Sequence, residues 1–156
     1  MRISILAVGT RLPGWINQGV GEYSKRFPPE IKFQINEIQA DKRSKSSTAE
    51  LVLKAEAGRI SAAISKGSHL IVLDEKGKKQ RTTTLAKNME SWMREGINID
   101  FVIGGADGIH KDLKERANER WSLSDFTLAH GLARVLLVEQ LYRAWTVIRN
   151  HPYHRE

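Results

Sequence analysis

Cysteine is absent from the 156 residues, which excludes disulfides and thiolate metal sites. No apolar run approaches the roughly 20 residues that cross a bilayer as a helix, so no membrane partner is expected. The apolar opening, Met1 to Val8, is too short for a secretory core with its cleavage site, and a cytoplasmic location is expected. Three signatures are also missing. After the first apolar run there is only Gly9-Thr10-Arg11 in place of G-x-G-x-x-G, and G-x-x-x-x-G-K-[ST] does not occur, which disfavours nicotinamide and nucleoside triphosphate enzymes. Without G-x-S-x-G, no serine hydrolase elbow is present.

What the chain does have is positive charge and regular alternation. Lys and Arg total 25 against 18 Asp and Glu, a net +7. Such a cation attracts polyanions over about a Debye length, and RNA is the natural candidate. The length suits one domain over residues 1–156.

Apolar runs at Ile3–Val8, Ile31–Ile38, His69–Leu73, Ile99–Ile103 and Trp121–Ser124 read as strands. Helices are expected over Trp15–Phe27, from a Ser47 or Thr48 cap to about Ser65, over Thr82–Glu95 closed by Gly96, over His110–Asn118, and over Gly131–Asn150. Alternation of this kind predicts an α/β fold with a mostly parallel sheet between helices. Ligands of such sheets bind outside the carboxyl ends of the strands. Gly9-Thr10, Leu73-Asp74, Gly104-Gly105 and Ser124-Asp125 are therefore expected to converge on a site. In Gly104-Gly105-Ala106-Asp107-Gly108, three glycines in five residues let main-chain groups approach a ligand and suit the edge of an adenine. A bulky side chain at Gly105 is expected to fill that space without unfolding the chain.

The last helix is apolar well beyond one stripe, at Leu132, Val135, Leu136, Val138, Leu141, Tyr142, Ala144, Trp145 and Ile148. A second copy of the chain is the simplest cover, so a homodimer is expected. Arg134 and Glu139 on this helix are read as an intrahelical pair. After the Pro152 stop come an aromatic, an imidazole and a guanidinium, groups that suit a splayed-out RNA base and its phosphate. His151 and His154 have no third partner at a metal-binding spacing, so no metal is expected.

Several of these stretches together resemble the RlmH (YbeA) family. They are Phe101-Val102-Ile103-Gly104-Gly105-Ala106-Asp107-Gly108, Trp121 to Leu128, Arg134 to Trp145, and Asn150-His151-Pro152-Tyr153-His154-Arg155-Glu156. Ala7-Val8-Gly9-Thr10 and Tyr23-Ser24-Lys25-Arg26-Phe27 add to the likeness, which covers essentially the whole chain. The resemblance implies a SPOUT-class methyltransferase, an α/β-knot fold with a trefoil knot in its carboxyl-terminal half. It further implies methyl transfer from S-adenosyl-L-methionine (SAM) to N3 of a pseudouridine in 23S ribosomal RNA, on assembled ribosomes, by a homodimer.

The family's cofactor pocket maps onto Leu73, Gly105 and the segment Leu123, Ser124, Asp125, Phe126, Thr127 and Leu128. Its target site maps onto Tyr153, His154 and Arg155. In a dimer this tail is expected to reach the partner's pocket, and its removal is expected to leave the fold intact. Arg155 is the candidate to stabilise the developing imide anion, while His154 either accepts the proton or orients the base. One departure is Ala129, where the family commonly has proline before His130, a change expected to loosen the pocket loop. The competing readings are a ribosome-binding module without chemistry, and a knotted methyltransferase acting on tRNA.

Overall fold

The computed structural model describes residues 1–154. Strands and helices alternate: β1 (Arg2–Val8), α1 (Gly14–Ser24), β2 (Lys32–Ile38), α2 (Ala49–Ala63), β3 (His69–Lys79), α3 (Thr82–Glu95), β4 (Ile99–Ile103), α4 (Lys111–Arg116), β5 (Glu119–Ser122) and α5 (His130–Ile148). The strands pair in parallel in the order β2-β1-β4-β3-β5. This is the α/β architecture that the alternation predicts.

Successive residues of a strand point to opposite faces, and both faces are covered. Ile3, Ile5, Ile71, Phe101 and Trp121 pack with Met89 and Trp92 of α3 and with Leu137 and Leu141 of α5. Leu6, Val8, Leu70, Val72 and Val102 pack on the opposite face with Ile60 of α2 and Leu113 of α4. That double coverage is why the central strands read as nearly continuous apolar runs, interrupted by the buried Ser4 and Asp100. Thr48 caps α2, its side chain accepting from Leu51 N at 3.2 Å.

Three elements depart from the sequence reading. Strand β3 does not stop at Leu73 but continues to Lys79. Leu73 and Lys78 both pair with Trp121, so residues 74–77 bulge out between two points of the same ladder. Gly77 permits this, because a Cβ there would lie 2.6 Å from the Trp121 carbonyl carbon. The bulge breaks period 2, which hides the extension from pattern reading. Strand β5 lies two residues earlier than expected, ending at Ser122, which frees Leu123 and Ser124 from the sheet.

Helix α5 is the third. Its broad apolar surface is largely covered within its own chain, by α1, by α3 and by the sheet. Leu132 of α5 and Trp15 of α1 remain 41% and 59% exposed. Packing within the chain therefore accounts for most of the apolar surface from which a second copy is expected. Among the described residues, no helix is long and apolar enough to cross a membrane.

Candidate active site

The carboxyl ends of β3, β4 and β5 enclose a cleft of about 570 Å³, within the range of small-molecule sites. Topology puts it there. The connection from β3 runs inward to β4, whereas that from β4 runs outward past β3 to β5. Oppositely directed connections leave a crevice between the loops. One wall is the β3 bulge, with Leu73, Asp74 and Lys76; a second is the turn from Gly104 to Ile109; a third is the segment from Leu123 to Ala133.

The glycine turn is built main chain against main chain. A Cβ on Gly104 would fall 2.4 Å from the Gly108 carbonyl oxygen, and Gly108 N donates to Gly105 O at 3.1 Å. Gly105 lines the cleft through its peptide alone. Its missing Cβ would point inward, 3.0 Å from Val8 Cγ1 and 3.6 Å from Glu56 Oε2. The expectation that a bulky Gly105 side chain would fill the cleft and spare the fold is therefore corrected: it would be driven into the core.

The cleft loops are tied to their surroundings by ion pairs. Lys114 Nζ lies 3.3 Å from Asp74 Oδ2, Arg43 2.6 Å from Asp107, and Lys79 2.5 Å from Asp125. The Arg43 and Lys79 pairs lie at the surface and contribute only about 0–1 kcal/mol each, so their role here is to set loop positions. The Arg43 pair brings the Asp41–Lys45 loop to the cleft rim. Ser124 shapes the third wall: its carbonyl accepts from Ser122 Oγ at 3.0 Å, and its hydroxyl accepts from Phe126 N at 2.9 Å. Phe126 stands 83% exposed at the rim. Ala129 holds φ at −59°, the angle to which a proline ring would lock it. The loop thus keeps proline's backbone geometry without proline.

Behind the cleft, Arg134 is 2% exposed. Its guanidinium donates to Glu37 Oε1 at 3.0 Å and to Gly9 O at 3.1 Å. Burial lowers its pKa, against the pull of Glu37 in the other direction. The predicted pair with Glu139 does not form. Five helical residues turn about 500°, which puts the two side chains on different faces. Glu139 pairs instead with Arg143, one turn further on.

A family model described as "Predicted SPOUT methyltransferase" matches residues 1–154. Three similar proteins, each named "Ribosomal RNA large subunit methyltransferase H", come from Ralstonia pickettii, Nitrosomonas eutropha and Burkholderia cenocepacia. They are 51%, 52% and 50% identical over 155 residues, covering 99% of both chains. The chain belongs to the SPOUT methyltransferases, in the RlmH family.

The cleft of this SPOUT chain gathers Leu73, Gly105, Leu123, Ser124, Phe126, Thr127 and Leu128. Asp125 is not among its lining residues and pairs outward with Lys79. Gly9-Thr10, the fourth loop expected to converge, is also absent from the lining, and Gly9 serves instead as an acceptor for Arg134.

Tyr153 and His154 stand apart from their own chain's cleft. Tyr153 lies against α5, its hydroxyl donating to Glu139 Oε1 at 2.9 Å. His154 is half-buried, with a buried Nδ1 that has no partner among the described residues. Arg155 lies outside the described residues. Asp74, at a strand end expected to converge on the site, lines the cleft; Lys114, His130 and Ala133 also line it and carry no sequence signal, since two helix faces bring them there. No group of three metal-ligating side chains is found among the described residues.

Proposed function

We propose that this chain is a SAM-dependent enzyme that methylates N3 of a pseudouridine in the large-subunit (23S) rRNA of assembled ribosomes. It works in the cytoplasm, as a single-domain protomer of a homodimer, with the knotted carboxyl-terminal half of its family. The relatives' shared name supports an rRNA substrate. The observation that carries the cofactor reading is the composition of the cleft. Main-chain groups of the Gly104–Gly108 turn suit the edge of an adenine, Leu73, Leu123 and Leu128 suit its faces, and Ser124 and Thr127 supply hydroxyls for polar ends. When bound, SAM supplies a methyl group activated on a sulfonium.

The remaining work falls to the protein. The walls exclude water and fix the angle of approach, and alignment of that kind is worth roughly 7–11 kcal/mol of barrier. The N3–H of the base is a weakly acidic imide, which reacts better deprotonated. In this reading Arg155 stabilises the developing anion, and His154 receives the proton or orients the ring. In this reading both come from the partner's tail, which fits the absence of Tyr153 and His154 from the lining of their own chain's cleft. Exposed Trp15 and Leu132 supply apolar surface for a second copy.

Isothermal titration with SAM separates an enzyme from a ribosome-binding module; no heat of binding would reject the enzyme. Light scattering at micromolar concentration is expected to report twice the chain mass. Labelled methyl transfer to ribosomes, with tRNA as the competing substrate, separates the two RNA classes; transfer to tRNA alone would overturn the rRNA assignment.

A further inference from the structure

Tyr153 is already committed within its own chain. Its hydroxyl donates to Glu139 Oε1 at 2.9 Å. Its ring meets Tyr142 edge-on, with centroids 4.9 Å apart, and the Arg143 guanidinium lies over it at 4.9 Å. Glu139 Oε1 also accepts from Arg143 Nε at 2.8 Å, so one carboxylate holds both the phenol and the cation stacked on it. That carboxylate is fixed in turn. Its Oε2 accepts from Gln140 Nε2 at 2.7 Å, and Gln140 Oε1 accepts from Thr82 Oγ1 at 2.7 Å. A line of hydrogen bonds therefore runs from the first residue of α3, across α5, to the tail.

This is more than a surface helix pair requires. Glu139 and Arg143 at i and i+4 would satisfy each other on any exposed helix, yet here the carboxylate is shared with a residue beyond the helix stop. The phenol is kept neutral chiefly by burial, with Tyr23 and Glu139 adding to the effect, so its pKa is raised from the usual 10.0. It thus remains a donor across the working range. A phenol whose only proton is bound to a carboxylate, and whose ring already meets Tyr142 and Arg143, is engaged within its own chain.

We infer that Tyr153 is the anchor of the tail and that Glu139 is the positioning residue that holds it, so that together they set where His154 and Arg155 stand without touching the substrate. This deepens the tail reading proposed above and rests on it. It also changes the role of Tyr153 from a group acting on the base to one acting through its neighbours.

The test uses full-length protein and ribosomes lacking the modification. Glu139→Ala and Tyr153→Phe are each expected to lower kcat by about 10-fold to 100-fold, the scale of a small misplacement. KM for SAM and the shape of the pH profile stay those of the wild type. Each variant speeds carboxypeptidase removal of the tail, and Glu139→Gln, which keeps an acceptor, recovers much of the rate. The double variant is no slower than Glu139→Ala, because both changes break the same bond.

Wild-type kcat in Glu139→Ala beside an inactive Tyr153→Ala would overturn the inference, since Tyr153 would then act on the base itself. Additive losses in the double variant would overturn it as well. A chain ending at Tyr153 distinguishes the two levels. If it is inactive while Glu139→Ala is normal, only the anchor fails; if it methylates normally, the tail reading falls and the anchor with it.

Discussion

The cleft and the tail are held by opposite means. At the cleft, main chain meets main chain: the missing Cβ atoms of Gly77 and Gly104 would fall 2.6 Å and 2.4 Å from neighbouring backbone atoms. At the tail, one carboxylate, Glu139, gathers Arg143, Gln140 and Tyr153 through side chains alone. A side chain at Gly77 or Gly104 forces the backbone to move and endangers the fold. A substitution at the tail releases a few side chains and alters geometry while the fold stands. The protein thus joins a cleft packed backbone on backbone to a tail held by side chains.

The sharpest break of this contrast is Gly104→Ala. Overpacking against backbone is expected to cost about 3 kcal/mol, read from urea unfolding; a loss under about 1 kcal/mol would mean that the turn is not close-packed. Ala106→Trp, at an exposed position on the cleft rim, should weaken SAM binding about 100-fold, or roughly 2.7 kcal/mol, with an unchanged Tm. Normal SAM affinity there would move the ligand elsewhere.

Arg134→Met removes a buried cation that ties α5 to Glu37 and Gly9. A cost of about 2 kcal/mol is expected, below that of a fully buried pair because the Glu37 side chain is 37% exposed. Neutral stability would reduce that link to a by-product of packing.

The smallest expected effect is Tyr153→Phe, about 1 kcal/mol for one hydrogen bond. Its pH dependence has a definite sign. The folded-state pKa is raised from the usual 10.0, so the contribution is complete below pH 10 and is lost as pH rises through the higher folded value. A stability difference between wild type and Tyr153→Phe that vanishes near neutral pH would contradict this.

The same contrast explains what the sequence discloses. Glycine where no Cβ fits is visible as a letter, so Gly104, Gly105 and the strand ends around them announced the cleft. Alternating apolar runs announced the sheet. The β3 bulge was silent, because Asp74 to Lys76 is polar and Gly77 looks like any turn residue; its cause is the backbone of Trp121, far along the chain. Asp125 shared a motif with lining residues yet turned outward to Lys79, since a motif records neighbours in sequence and not direction in space. In sequence the tail is a set of chemical groups. Its partition into an anchored Tyr153 and the residues beyond it depends on Glu139 fourteen positions earlier, a pairing that no local pattern encodes.

The most direct test of the account is nucleotide-resolution mass mapping of 23S rRNA after incubating the purified protein and SAM with ribosomes from cells lacking its gene. One added methyl group, on N3 of a single pseudouridine, is the predicted result, absent with Ala106→Trp and strongly reduced with Glu139→Ala. An unchanged 23S map, or a methyl group on another RNA, would contradict it.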